Sequence, residues 1–232
     1  MNETRLTKMQ YPSRARALLI TGLLSALAGS LAGCAAVGFA AAVAEREGTH
    51  DVDAEYTRLD GKSYAVVVSA DRSIQSDHPL VMEYLIDRVT DRLSQQTNVP
   101  RAGGYVRSIQ VIKYLNEHPG WTGKPMSELA KDLGGVDRLI FIDLFEFRLN
   151  DPGNAYLWEG VASARISVIE TDSPIPDDHA FTKTITVRFP DQQGMGPNEM
   201  QAVAVRTELS RRMVDRLSWL FYNHEEKRTP DY

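Results

Sequence analysis

"VDRLIFIDLFEFRL", residues 136–149, decides the fold of this 232-residue chain. Eight of its side chains (Leu139, Ile140, Phe141, Ile142, Leu144, Phe145, Phe147 and Leu149) are large and apolar, in the run expected of a strand. "DPGN" (151–154) supplies turn residues, and "YLWEGVASARISVIE" (156–170) runs back, so the two stretches read as a hairpin. "FTKTITVRFP" (181–190) sets Phe181, Ile185, Val187 and Phe189 against Thr182, Thr184, Thr186 and Arg188, the alternation of a strand with one wet face. A long helix is expected from about Asn198, because Val205, Leu209, Met213, Leu217 and Phe221 recur every fourth residue and make a stripe that closes over a sheet.

The upstream half supplies the remaining elements. "SYAVVVSA" (63–70) is a continuous apolar run of strand length, as for a strand covered on both faces. "SDHPLVMEYLIDRVTDRLSQQT" (76–97) repeats Val81, Leu85, Val89 and Leu93, with Asp77 placed to cap and Pro79 in the first turn, which predicts one amphipathic helix. "SIQVIKYLNEHPGW" (108–121) is read as a helix opened by Ser108 and stopped at Pro119, although "YVRSIQVIKYL" (105–115) also has the composition of a strand. "KPMSELAKDLGG" (124–135) has Pro125 at a helix start, Met126, Leu129 and Leu133 on one face, and Gly134 past its end. The expected class is α+β: a central mixed β-sheet of about four strands packed with three or four helices, including a long C-terminal helix.

The amino terminus carries a separate message. Arg5, Lys8, Arg14 and Arg16 precede an uncharged run from Ala17 to Ala44, the pattern of an export signal whose amino end stays on the cytoplasmic side. Met1 and Met9 are alternative starts, and Met9 leaves a short, purely basic leader; the mass of the precursor decides between them. The run is long enough for a membrane helix, which needs about 20 apolar residues. Its bulky residues stop at Leu31, however, and glycine and alanine crowd the second half, as in an apolar core followed by a small-residue cleavage region.

"LAGC", Leu31 to Cys34, resembles the lipobox of bacterial lipoproteins: an aliphatic residue, two small residues, and a cysteine. The resemblance implies that residues 1–33 are a signal peptide and that lipoprotein-processing enzymes act on the chain. Cys34, the only cysteine, then becomes the acylated amino terminus that anchors the protein in the membrane. Each buried methylene contributes roughly 0.8 kcal/mol, so one acyl chain holds marginally and two or three hold stably. Ala35 follows the cysteine where an aspartate would retain an enterobacterial lipoprotein in the inner membrane, which implies an outer-membrane location facing the periplasm.

Removal of residues 1–33 takes away four basic and one acidic side chain, leaving 22 Lys and Arg against 30 Asp and Glu, a net charge of −8 compared with −5 for the whole chain. A phosphate-binding face needs clustered Lys and Arg, so nucleic acid and anionic lipid surfaces are not expected partners. With Cys34 acylated no thiol is left, and a hydrophobic core must stabilise the exported part. The organisation expected is a lipidated tether (34–60), a periplasmic domain (61–224) and a polar tail (225–232). In the tether "AAVGFAAAVA" (35–44) is apolar, whereas "EREGTHDVDAEYTRLDG" (45–61) is polar enough to stay extended or loosely ordered.

The order strand, helix, short helix, helix, "LGGVDRLIFIDL" (133–144), hairpin and closing helix resembles periplasmic lipoprotein domains of three kinds. These are the TolB amino-terminal domain, the curli-secretion channel lipoproteins and the lipoprotein activators of penicillin-binding proteins. In those families a helix followed by a glycine, an aspartate and aliphatic residues leads into a central strand; Leu133, Gly134, Asp137 and Ile140 occupy that stretch here, with Gly135 as an extra glycine. The resemblance covers about Tyr64 to Phe221 and implies a fold more than a function.

Candidate chemistry is sparse. Asp143 shares a strand phase with Leu139, Phe141, Phe145 and Phe147, where burial would suit a general acid; the alternative is that a cross-strand residue such as Arg165, or the backbone, satisfies it. Glu146 is the other carboxylate a hydrolase would use. His50, His78, His118, His179 and His224 are scattered, and none pairs at helical spacing. Asp177, Asp178 and His179 are adjacent loop residues that cannot surround a metal without distant partners. "RAGGY" (101–105) and "GMGP" (194–197) lack the lysine and the strand-to-helix order of a phosphate loop and read as turns. Tyr156 and Trp158 stand at a strand start, where aromatics either anchor a partner or cover the core.

No catalytic residue, cofactor or metal is therefore expected. The function expected is a lipid-anchored, non-enzymatic interaction or assembly module of the cell envelope, bound to the membrane through Cys34 and to another envelope protein or to itself. The alternatives are a structural lipoprotein that forms a homo-oligomeric ring or pore by pairing sheet edges, and an envelope hydrolase using Asp143 or Glu146.

Overall fold

A computed structural model describes residues 48–96 and 104–227. Residues 1–33, Cys34, the apolar stretch 35–44 and the last residues of the tail lie outside the described residues. The compact body takes in Asp51–Glu226; of the other unit, 1–50 with 227–229, only residues 48–50 and 227 are described. Among the described residues, no helix is long and apolar enough to cross a membrane.

The main sheet has five strands, β2 (Ser63–Ala70), β3 (Gly104–Tyr105), β4 (Arg138–Arg148), β5 (Gly160–Glu170) and β6 (His179–Phe189), in the order β3-β2-β4-β5-β6. β2 runs parallel to both β3 and β4, and β4, β5 and β6 are antiparallel, so the sheet is mixed as expected. The strand beyond the expected four is β3, whose two residues carry no periodicity to read. A further pair, β1 (Thr49–Val52) and β7 (His224–Lys227), forms a two-stranded sheet, so a strand occupies the start of the expected polar tail.

Asp137 pins the parallel register of β2 and β4. The Ser63 N–H and hydroxyl both donate to Asp137 Oδ2 at 2.9 Å, and Asp137 N–H donates back to Ser63 Oγ at 2.9 Å. The Ser63 hydrogen bonds hold the Asp137 carboxyl below its ordinary range. Gly134 and Gly135 precede it with φ of 97° and 71°, a left-handed pair that turns the chain from helix into strand and that side chains with a Cβ resist.

Five helices are described: α1 (Arg72–Asp77), α2 (Val81–Gln95), α3 (Ser108–Glu117), α4 (Met126–Asp132) and α5 (Ala202–Ser218). The helix expected over 76–97 is α2, and a short helix that was not expected, α1, precedes it. Asp77 ends α1 rather than capping α2, whose N-cap is Leu80 with no side-chain hydrogen bond. Pro79 lacks an N–H and keeps His78 out of helical conformation, which breaks the chain there. Residues 108–117 are helical, so the strand alternative fails beyond Tyr105.

α2 and α5 cover one face of the sheet. Leu85, Val89 and Leu93 from α2 and Val205, Leu209, Met213 and Leu217 from α5 are fully buried against Val66, Val68, Ile140, Ile142, Leu144, Ile166 and Val168. The approach is close enough that a Cβ on Gly160 would stand 2.6 Å from Leu209 Cδ1. α3 packs on α2 and β2, and α4 on β4, where Trp121 meets Phe141 edge-on at 6.4 Å. Tyr56 and Leu59 are also buried: Tyr56 N–H donates to the Leu220 carbonyl at 2.9 Å, and its ring lies 5.7 Å from Phe181. The stretch expected to be loose is thus tied to the core from Tyr56 onward.

Candidate functional site

The second face of the sheet is exposed along β6 and at Arg165 of β5, whereas Ser163 and Ser167 of β5 on the same face are buried. Register puts Ser69, Asp143, Arg165 and Thr184 in one row across β2, β4, β5 and β6, Glu146, Ser163 and Thr186 in another, and Ser167 opposite Thr182 in a third. Ser163 and Thr186 hydroxyls are 3.1 Å apart and those of Ser167 and Thr182 are 3.3 Å apart, so the rows are bridged by hydrogen bonds between small polar groups. Thr182, Thr184, Thr186 and Arg188 are exposed, as the alternation in β6 requires. Arg165 is exposed at the centre and makes no hydrogen bond or ion pair with any described residue.

Asp143 sits at the border of this face and accepts a hydrogen bond from Ser69 Oγ at 2.9 Å. Arg165 does stand opposite it, as anticipated, yet the serine supplies the bond. The expectation that Phe145 and Phe147 share its phase is overturned. A bulge between Leu144 and Glu146 makes Phe145 an extra, exposed residue and turns Phe147 to the helix-covered side, where it packs on His78 at 4.8 Å. Glu146 accepts from Arg148 Nε at 2.9 Å and from Ser163 Oγ at 3.0 Å. Burial pushes its carboxyl up, but these bonds outweigh it and hold it below the ordinary value, so Glu146 is an ionised, paired acceptor.

One carboxyl pair was not anticipated. Asp151 and Glu159 meet in the β4–β5 loop, where the hydrogen bond between them lowers Asp151 and raises Glu159, and Arg148 also binds Asp151. They border a cavity of about 260 Å³ lined by Trp158, Arg188, Asp191 and Gln192, and no hydroxyl or thiol nucleophile lines it. Eight positions separate the two acids along a loop, a spacing without a signature in the sequence.

The other candidates have structural partners. Asp177 Oδ1 accepts from the Ser127 N–H at 2.8 Å at the start of α4, Asp178 bonds the His179 N–H, and His179 opens β6, so the three residues do not converge. Among the described residues no group of His, Cys, Asp and Glu is arranged to hold a metal. Trp158 is buried and donates Nε1–H to the Met200 carbonyl at 2.7 Å, whereas Tyr156 is 84% exposed. His50, His118 and His179 are exposed, and His78 and His224 are half-buried.

Two buried arginines clamp the ends of the sheet. Arg138 binds Asp172 Oδ1 at 2.6 Å, beside Glu170, which accepts from the Tyr56 hydroxyl at 2.9 Å. Arg212 forks onto Asp191 with two bonds of 2.6 Å and reaches Glu208 at 2.9 Å. Both guanidiniums have their charge balanced and their donors used, as burial of an arginine demands.

No protein-family model and no curated protein matches this chain. Among solved structures it is similar to the PelC dodecamer from Paraburkholderia phytofirmans, at 12% identity over 76% of this chain and 99% of that one, with a TM-score of 0.41. It is also similar to lipoprotein GNA1162 from Neisseria meningitidis, at 12% identity over 67% of this chain and 97% of that one, with a TM-score of 0.41. A third is protein XCC0632 from Xanthomonas campestris, at 13% identity over 72% of this chain and 90% of that one, with a TM-score of 0.43.

Proposed function

We propose that this protein is a lipid-anchored, non-enzymatic interaction module of the bacterial cell envelope. Acyl chains on Cys34 hold it to the outer membrane on the periplasmic side, and it docks an extended segment of another envelope protein along β6. The observation that carries this reading is the state of β6: it is the outer strand of the sheet, eleven residues long, and its Thr182, Thr184 and Thr186 are exposed on a face that no helix among the described residues covers. An unpaired strand edge offers a row of backbone donors and acceptors to an added strand, with alternate side chains setting specificity. Asp143 accepts from Ser69 and Glu146 from Arg148 and Ser163, so each carboxylate has a structural role within the fold.

A photo-activatable side chain at Thr184 in intact cells tests the docking. One heterologous adduct is expected, with none from the exposed Glu83 on α2. A ladder of self-adducts would instead favour a homo-oligomer built by edge pairing. That second reading has an observation of its own, because twofold antiparallel pairing about Thr184 sets Thr182 opposite Thr186 and Phe181 opposite Val187. The anchor is tested separately: Cys34→Ser should leave an unprocessed precursor, and a processed, membrane-bound variant would overturn lipidation.

A further inference from the structure

We propose that a second site, a cavity between the start of α2 and the first half of α5, binds a small carboxylate carried on an apolar body, of the size of a medium-chain fatty acid. The cavity measures about 230 Å³. A water-sized group takes up roughly 30 Å³, so the space accepts a chain of about eight carbons. Pro79, Leu80, Val81 and Tyr84 form its apolar wall, and Leu80 is 70% exposed at the mouth. A large aliphatic side chain left in water at the rim of a cavity is what an apolar ligand covers.

The polar side of the cavity selects the head group. Arg206 lines it, is exposed, and makes no hydrogen bond or ion pair with any described residue. Arg58, Arg92, Arg138, Arg148, Arg211, Arg212 and Arg216 each hold a carboxylate, whereas the Arg206 charge at the cavity is not balanced by one. No aspartate or glutamate is among the residues lining the cavity. His78 lines it too, and its buried Nδ1 has no hydrogen-bond partner. Burial and the charge of Arg206 hold the imidazole below its ordinary range against the opposing pull of Asp77, so at neutral pH it is an uncharged hydrogen-bonding group. A guanidinium beside a neutral imidazole suits a carboxylate and disfavours an ammonium group.

The break between α1 and α2 is what builds the site. Pro79 stops the helix, leaves Leu80 outside the core and turns His78 onto Phe147, which the β4 bulge has brought to the same side. The proposal is independent of the docking face, which lies on the opposite side of the sheet.

The test uses the full lipidated protein in nanodiscs of zwitterionic lipid, titrated calorimetrically with octanoate, octanol and octylammonium after subtraction of empty discs. Saturable one-to-one binding of octanoate is expected, with the other two at least roughly tenfold weaker, as for loss of a charge-assisted contact. Arg206→Gln, at an exposed position, should weaken octanoate by about tenfold or more without moving the thermal midpoint, and Leu80→Asp, at the N-cap of α2, should weaken it as much while the chain stays folded. Arg88→Gln, outside the cavity, should bind as wild type. Equal binding of the three head groups, wild-type affinity in Arg206→Gln, or no saturable binding would overturn the proposal.

Discussion

The two faces of the β4–β5–β6 hairpin system share one set of backbone hydrogen bonds and differ in almost everything else. On one, Ile140, Ile142, Ile166 and Val168 are fully buried under α2 and α5; on the other, the row through Arg165 and Thr184 is exposed. Stability is therefore concentrated on a single face, and the second is free to carry polar side chains whose replacement costs the fold little. This separation explains how an acidic protein without disulfides keeps the exposed threonines of β6 next to a well-packed core.

The comparison breaks first if the covered face is not the stabilising one. Ile142→Ala deletes atoms from a fully buried side chain between Val68 and Ile166 and should cost about 2–5 kcal/mol, read from urea midpoints. Thr184→Ala on the opposite side should stay within about 0.5 kcal/mol. Similar values for the two would show that a partner or a second copy buries the Thr face in solution.

Gly160 sharpens the same point at the seam between α5 and the sheet. A Cβ there would meet Leu209 Cδ1 and the Phe189 carbonyl, both at 2.6 Å, and the carbonyl belongs to a paired strand that cannot swing aside. Gly160→Ala should therefore destabilise by about 1–3 kcal/mol by overpacking. Wild-type stability would mean that α5 sits farther from β5 than described.

Much of this division was legible in the sequence. The Phe-Thr alternation of 181–189 gave β6 its wet and dry sides, and the stripe from Val205 to Phe221 is buried throughout. The turn from α4 into β4 followed from Leu133, two glycines and an aspartate. What escaped detection depends on tertiary partners. The bulge at Phe145 inserts one residue into a run that is apolar in either phase, so no period reports it. Arg138 and Arg212 are buried only because Asp172 and Asp191 arrive from distant loops. Tyr56 looked like part of a polar tether because its burial comes from Phe181 and Phe221, more than a hundred positions away. At Asp143 the hairpin pattern places Arg165 opposite, but nothing in the sequence points to Ser69, which lies on a parallel neighbour.

The ionic clamp under Arg212 gives the covered face a pH dependence. The Arg211 guanidinium, followed by that of Arg212, outweighs partial burial and holds the Glu208 carboxyl down to about 2 from its ordinary 4.5. Because the folded value is depressed, the stabilisation is complete above pH 4.5 and is lost as pH falls from there toward about 2. Allowing for solvent screening at a partly exposed group, Glu208 contributes roughly 1–2 kcal/mol. Glu208→Gln should lower stability at pH 7 by that amount and flatten the acid limb of the stability curve; an unchanged limb would place the acid sensitivity in another carboxylate.

The smallest effect tests the open face itself. Asp143 and Arg165 are direct cross-strand neighbours of opposite charge, yet they form no ion pair: Asp143 Oδ1 accepts from Ser69, and Arg165 is exposed. A double-mutant cycle of Asp143→Asn and Arg165→Gln should give a coupling below about 0.5 kcal/mol, the range of exposed pairs. A coupling above about 1 kcal/mol would show that Arg165 folds down onto Asp143 in solution, and the central cation of the proposed docking face would then already be neutralised before any partner arrives.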